Sequence, residues 1–483
     1  MDAPKRKLLF FANSRRQCEA ISDQLQAEPS LREIVFTHYS SLSPELREST
    51  EQQFSAANRA ICVATSTLEM GIDIGDIDAV VLLEAPSGVE SFLQRIGRGN
   101  RRSHQTNAIC LTLKTNDCVR EALIFATLVH LARAGRMPRA GAHQLYGALG
   151  QQCLSILQQR EGAFTRIQNV ADELCAFPYV DRPVIERVLA DLAAKGYCQR
   201  HGFKNQYGAT DALWEMADHN LLFGNFPRGS QTIDLLHGKR LLGTVPQYNL
   251  FRARPGLTLR FAGRRWSVKR IDGRGIELEP SKSQHHDIDL SYGGAGRDGL
   301  DMFLAQNLWL QLFSISKETC DMDSATWTLV EEQISAIRRA CNASSLPCTP
   351  IPRGIRYYTF AGSLLNRVLA KWAGRSVISA TDLTLEVEEP LDFRRLPMTT
   401  VELLPHVQTL MAPSDAQTVF QQQLPLDLQE QEWTESWMKN EEMPQVLRRL
   451  QTAGVVNVPY GTFNFIDSAG TGKREGGLRA DSL

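Results

Sequence analysis

The sequence is poor in the features that would narrow its class at once. Its ten cysteines, at positions 18, 62, 110, 118, 153, 175, 198, 320, 341 and 348, include no CxxC pair. That excludes a paired-cysteine zinc module and a disulfide framework, leaving reduced, mostly buried thiols and no metal site. No apolar run approaches the roughly 18 residues of a membrane helix. The opening MDAPKRKLLFF lacks the apolar core and cleavage site of a signal peptide, so the expected location is the cytoplasm, away from any membrane. An excess of one charge is also missing: the net charge of −1 excludes a uniformly basic coat, although local basic patches survive such a sum. A phosphate loop is missing too. The GTGK stretch ending at Lys473 has Asp467 where GxxxxGK[ST] needs its first glycine and Arg474 where it needs a hydroxyl. GAGRDG, Gly294 to Gly299, matches GxGxxG without a preceding strand and reads as a loop.

What is present is a long soluble chain. Its 483 residues, 43% hydrophobic and 22% charged, exceed one ordinary core and imply several domains. Residues 1–118 alternate short apolar runs (KLLFFA, IVFTHYS, AICVATS, AVVLLEA, NAICLTL) with helix-spaced segments, the pattern of a parallel sheet of buried strands with helices on both faces. Ligands of such sheets sit at the carboxyl ends of the strands, where FANSRR, ATSTLEMGIDIG and APSGVE fall.

A connector helix occupies 119–142. Short helices, a long helix and a turn-rich ribbon over 143–215 give the pattern of a winged helix, a fold that in some proteins binds nucleic acid and in others only packs. Short strands over 216–282 indicate a small antiparallel barrel or sheet. It is rich in cations: Arg252, Arg254, Arg260, Arg264, Arg265, Lys269, Arg270 and Arg274 are interrupted only by Asp272. With Trp266 among them, two readings stand: a groove that neutralises a nucleic-acid backbone and stacks one base, or a strand with a basic outer face and a core tryptophan. Residues 283–466 form an α+β region with amphipathic helices in FAGSLLNRVLAKWAG and EWTESWMKNEEMPQVLRRLQ. The tail 467–483 has the composition of a disordered segment.

The stretch SFLQRIGRGNRRSH places Arg95, Arg98, Arg101 and Arg102 close together with glycines between them, a poor pattern for a solvated helix face. In order along the chain come FFANSRRQCE, THYSSLSPELR, VATSTLEMGIDIGDID and QRIGRGNRR. This series resembles motifs IV, V and VI of the second RecA-like domain of superfamily 2 helicases. FFANSRR, HYSSLSPELR and TSTLEMGIDIG, followed by a winged helix, RPGLTLRFAGRRWSV and YYTFAGSLLNRVLA, are similar to the large helicase-related (Lhr) family of DNA translocases. The fold class thus implied is multidomain α/β: a RecA-like parallel sheet domain, a winged helix, a small β domain and an α+β carboxyl-terminal region.

The resemblance implies roles residue by residue. Arg98 and Arg101 would be arginine fingers against the γ-phosphate, and Gln94 would order the phosphate or the attacking water. Arginine suits this place because its planar, permanently charged fork pairs with two phosphate oxygens. Asn100 replaces the usual glycine before the last arginine, which leaves open whether Arg101 or Arg102 enters the cleft. Gly71 and Asp73 would lie near the nucleotide and its ribose. Thr65, Ser14, Arg15, His38, Ser40 and Ser41 would line the nucleic-acid side. In the family the winged helix and β domain hold the tracking strand, which would place Arg264, Arg265 and Trp266 on it. The partners implied are single-stranded or partly duplex DNA, or RNA.

No DExx tetrad follows a strand ahead of the first of these motifs. ATP and Mg²⁺ are therefore expected only in combination with a first RecA domain, in cis or in trans, and none is retained by this chain alone. The expectation is the carboxyl-terminal part of a helicase, inactive by itself; the alternative is an ATP-independent nucleic-acid-binding module or an inactive remnant.

Overall fold

A computed structural model describes residues 6–467 except 70–75, 100–106, 113–117, 140–144, 161, 176–180, 203, 225–231, 252, 273–274, 284–285, 291–298, 398–399, 409, 411–417 and 439–441. The chain divides into two compact units, one of 1–138, 231–395 and 449–483, the other of 139–230 and 396–448.

The first unit opens with β1 (Lys7–Phe11), α1 (Arg15–Ala27), β2 (Val35–His38), α2 (Pro44–Ala56), β3 (Ala60–Ala64), β4 (Ala79–Leu83), α3 (Val89–Ile96), β5 (Ala108–Leu111) and α4 (Cys118–Arg133). The strands pair in parallel in the order β2-β3-β1-β4-β5. Local chemistry sets the helix starts: Ser14 caps α1 by accepting from the Gln17 N–H, and Ser43 caps α2 ahead of Pro44. Alternate residues serve opposite faces of the sheet. Leu9, Phe11, Cys62, Ala64, Val80 and Leu82 join one core, and Val35, Ile61 and Val63 another. The fifth strand departs from the expected burial. Ile109 and Leu111 are each 41% exposed, because β5 is an edge strand with a neighbour on one side only.

The second unit contains α5 (Tyr146–Gln158), β6 (Thr165–Arg166), α6 (Ile167–Glu173), α7 (Arg182–Ala194), β7 (Cys198–Arg200), β8 (Gln206–Ala209) and α8 (Asp211–Asp218). Its antiparallel sheet has the order β6-β8-β7. Ile185, Val188, Leu189 and Leu192 form the inner stripe of α7, in one core with Phe420, Leu424 and Leu428. Residues 396–448 thus belong with 139–230, a long-range pairing that no local pattern in 283–466 announces.

Returning to the first unit, β9 (Thr232–His237), β10 (Arg240–Pro246), β11 (Thr258–Phe261), β12 (Arg264–Asp272) and β13 (Gly275–Pro280) form a sheet in the order β10-β9-β13-β12-β11. It is antiparallel except for the parallel β13–β9 pair. Its core of Leu235, Val245, Leu259, Phe261, Trp266, Val268, Ile276 and Leu278 is continuous with the β2 side of the parallel sheet. The remainder is α9 (Met302–Ser314), α10 (Ser324–Ala340), β14 (Ser345–Ile351), β15 (Gly354–Tyr357), α11 (Gly362–Ala373), β16 (Val377–Ala380), β17 (Leu385–Val387) and β18 (Gly454–Asn457), with strand order β16-β17-β15-β14-β18. Leu304, Leu308, Trp309 and Phe463 from this region share the core of Leu9 and Phe11.

The second unit also holds α12 (Thr400–Gln408) and α13 (Leu426–Met438). The EWTESWMKNEEMPQVLRRLQ stretch is two helices: α13 ends at Met438, and another begins at Met443 with Pro444 in its first turn, a position that suits a helix start and not its middle. Among the described residues no helix is long and apolar enough to cross a membrane.

Candidate nucleotide and nucleic-acid interface

The carboxyl ends of β1, β2 and β3 bring several of the expected residues together. Ser14, exposed after β1, has its Oγ committed to the Gln17 N–H at 3.1 Å. Arg15 reaches across to β2 and donates from Nη2 to Ser40 Oγ at 2.9 Å, so the two act as one polar pair on the surface. Thr65 is almost buried at the end of β3, and its N–H donates to the His38 carbonyl at 3.2 Å. Ser41 is likewise buried.

His38 is a correction to the sequence reading. Only 1% of it is exposed, and both ring nitrogens are used, Nδ1 with Thr67 Oγ1 at 2.9 Å and Nε2 with Glu51 Oε1 at 2.8 Å. Burial lowers its pKa, against the pull of the Glu51 carboxylate. His38 is therefore an internal brace joining β2 to α2 and to the turn after β3, not a surface contact.

A second buried cluster joins Arg95 of the arginine-rich stretch to Glu69 and Asn13, two residues that the sequence does not mark as its partners. Arg95, 6% exposed, donates from Nε to Glu69 Oε1 at 2.7 Å and from Nη1 to Asn13 Oδ1 at 2.7 Å, with its guanidinium 5.4 Å from the Phe11 ring centre. Ser91 Oγ donates to the same Glu69 oxygen at 3.0 Å, and Asn13 Nδ2 donates to the Ala85 carbonyl at 3.1 Å. Glu69 thereby ties the loop after β3 to α3, and Asn13 ties β1 to the end of β4. A signal for Arg95 existed: with Val89 and Phe92 it repeats every third residue on the buried face of α3.

Of the three residues assigned to phosphate chemistry, Gln94 is exposed on α3. Arg98, just past the helix, is 8% exposed and donates from Nη2 to the Glu69 carbonyl. Arg101 lies outside the described residues, as do Arg102, Gly71 and Asp73.

The basic run of the β domain resolves differently. Arg265 donates to Asp23 Oδ1 from Nε at 3.0 Å and from Nη2 at 2.7 Å, and Arg260 pairs with Asp289 at 2.9 Å and Asp23 at 3.6 Å. Lys269 and Arg270 both pair with Glu277. Asp23 was invisible as a partner in the sequence because it lies on α1, 242 positions from Arg265. Arg264 remains exposed, with no ion pair among the described residues. Trp266 is the second correction. It is 5% exposed, and its Nε1 donates to the Phe261 carbonyl at 2.8 Å. A ring held in the core offers no face to a base, so of the two readings the core tryptophan is the one that fits.

Comparison with known proteins adds the following. Residues 1–103 match the family described as helicase conserved C-terminal domain. The chain is similar to the ATP-dependent helicase Lhr-Core protein 2 of Thermococcus barophilus, at 28% identity over 291 residues that make 57% of this chain and 33% of that protein. It is similar to the Lhr helicase/uracil glycosylase of Escherichia coli at 35% identity over 123 residues, 25% of this chain and 8% of that one. The structure of Mycobacterium smegmatis helicase Lhr, bound to ssDNA and AMP-PNP, matches with a TM-score of 0.61 at 16% identity, covering 94% of this chain and 65% of that chain, a likeness of fold. The chain spans at most 33% of the length of the Lhr-Core proteins of Thermococcus barophilus and of Methanothermobacter thermautotrophicus.

Proposed function

On the premise that this chain is the carboxyl-terminal part of a superfamily 2 helicase of the Lhr type, we propose that it supplies the arginine side of an ATP site and a single-strand-binding surface to a first RecA domain. The observation that carries this reading is the Glu69 hub. One residue holds Arg95 and Ser91 by its carboxylate and Arg98 by its carbonyl, so a single position after β3 fixes both arginines of the α3 end.

The donor set fits part of a nucleotide site. Guanidinium and amide groups at Arg98, Arg101 and Gln94 suit the oxygens of a γ-phosphate, and they leave phosphate-loop and Mg²⁺ contacts to another domain. ATP with Mg²⁺, when bound between two such domains, supplies the phosphoryl transfer that drives translocation. Arg98 donates from Nη2 to a neutral carbonyl, and an anionic oxygen in reach of the same guanidinium would accept a stronger, charge-assisted hydrogen bond. Gly71 and Asp73 are assigned to the nucleotide edge, with Arg101 or Arg102 as the second finger. On the strand side Arg15, Ser40, Ser14, Thr65 and Arg264 are assigned to phosphates of single-stranded DNA or RNA.

This chain contains no phosphate-loop pattern and no DExx tetrad after a strand, so it is expected to be inactive alone. The test is ATP hydrolysis, with and without single-stranded DNA, by the chain alone and mixed with a separately expressed first RecA domain. DNA-stimulated turnover in the mixture only is the expected result. Robust turnover by the chain alone would overturn the proposal. Failure in both tubes, with salt-sensitive binding of a single strand, would favour the alternative of an ATP-independent binding module.

A further inference from the structure

The β domain grips the loop after β2 from several directions at once. Thr244 N–H donates to the Ser41 carbonyl at 2.9 Å, Ser43 N–H donates to the Leu242 carbonyl at 2.9 Å, and Leu42 bridges Gly243 as an antiparallel pair. Tyr39 is fully buried with its ring edge-on to Phe261, 5.9 Å between centroids. Its hydroxyl donates to Glu19 Oε1 at 2.5 Å and accepts from the Ala262 N–H at 3.0 Å. The Gly263 N–H donates to the same Glu19 carboxylate, at 3.1 Å to Oε2.

Two glycines make this approach feasible. A Cβ on Gly243 would stand 2.0 Å from the Ser41 carbonyl oxygen. At Gly263, with φ +67°, it would stand 2.3 Å from Thr37 Oγ1. The ion pairs of Arg265 and Arg260 with Asp23 press the same hairpin onto α1. Tyr39, Ser41, Leu42 and Ser43 are thus fastened to the β domain, while Ser40 stays exposed in its pair with Arg15.

We infer that the β domain positions the strand-contacting loop of the RecA-like domain, with Gly243, Tyr39 and Glu19 as positioning residues for Ser40. The inference rests on the reading of Ser40 and Arg15 as phosphate contacts. It changes the meaning of the basic run: Arg260 and Arg265 dock a domain onto α1, and beyond the contact assigned to Arg264 the domain acts on nucleic acid through a loop it does not itself contain. A rigid loop presents a preorganised hydroxyl and guanidinium, whereas a loose one must be ordered at the moment of binding.

The test uses the whole chain and a fluorescent oligothymidylate. Dissociation constants are measured for wild type, Gly243→Ala, Ser40→Ala and the double variant, with amide exchange followed at Leu42, Ser43 and Thr244. Gly243→Ala is expected to weaken binding about tenfold and to speed exchange at those amides, and Ser40→Ala is expected to cost less in that background than alone, because coupled sites are not additive. Should Gly243→Ala fold poorly, Tyr39→Phe removes one hydroxyl and keeps the ring, with an expected loss of about threefold. Glu19→Gln, which keeps an acceptor for Tyr39 and Gly263, is expected to bind within about twofold of wild type where Glu19→Ala does not. Unchanged exchange at Leu42 and Ser43 in Gly243→Ala would overturn the inference, as would effects of Gly243→Ala and Ser40→Ala that simply multiply. A wild-type chain that fails to bind the oligothymidylate overturns the reading of Ser40 itself, and the exchange arm then still decides whether the β domain holds the loop.

Discussion

Two groups of arginines sit in the first unit, and they are held in opposite ways. Arg95 and Arg98 are anchored by a residue of their own domain, Glu69, within 29 positions in the chain. Arg265 is anchored by Asp23, which reaches it from the neighbouring parallel-sheet domain, and Arg260 stands between that carboxylate at 3.6 Å and Asp289 at 2.9 Å. The first group is fixed in place beside the loop after β3, while the second is consumed in docking. Both looked alike as sequence, a dense run of arginines with few acids nearby. Residue type is a local property, but the counter-ion is a property of the fold.

The largest expected effect that bears on this contrast is at Trp266. Trp266→Ala should destabilise the chain by about 3–5 kcal/mol in urea unfolding, since it removes a large core side chain. An unchanged midpoint with lost oligonucleotide binding would return the ring to a stacking role. Glu69→Ala should cost about 3 kcal/mol, because it leaves Arg95 buried without its carboxylate. A much smaller loss would mean that the other partners of Arg95, Asn13 among them, suffice to hold the guanidinium.

Glu19 sharpens the contrast through pH. Burial, opposed by the Tyr39 and Gly263 hydrogen bonds, raises its carboxyl from the ordinary value near 4.5 to about 7. The folded chain therefore holds this proton more tightly than the unfolded one. Its contribution to stability is full below about pH 4.5 and is lost as pH rises through about 7, a change on the order of 3 kcal/mol. Thermal unfolding across that window should show the slope in wild type and not in Glu19→Gln; equal slopes would mean that burial does not raise the Glu19 carboxyl.

Smaller effects belong to the half-buried Asp23 pairs and to the exposed Arg264. Asp23→Ala breaks pairs whose partners are 11% and 23% exposed, so a loss of about 1 kcal/mol that shrinks in high salt is expected. Arg264→Ala should leave stability within about 0.5 kcal/mol of wild type. A larger loss would give Arg264 a structural partner and place it with Arg265.

Much of the parallel-sheet domain was legible because its strands are apolar runs and its motifs fall at strand ends. The pairing of Arg15 with Ser40 follows from that placement. His38 was misread because a polar residue at a strand end looks the same whether it faces solvent or is clamped by Glu51 from the next helix. Trp266 was undecidable by alternation alone, since a strand shows which residues share a face and not which face is covered. Glu69 escaped notice inside a motif valued for its glycine and aspartate, and its role appears only when Arg95 folds back from α3.

The most direct test of the helicase-half reading is DNA-stimulated ATP hydrolysis by this chain mixed with a first RecA domain, comparing Arg98→Ala and Arg98→Lys with wild type. A guanidinium acting on the transferring phosphoryl group is worth about 10³-fold or more in rate. The expected result is a loss of that order for Arg98→Ala, with little recovery in Arg98→Lys, whose ammonium lacks the planar fork. Wild-type turnover by Arg98→Ala in the mixture would contradict the assignment of this chain as the arginine side of the site.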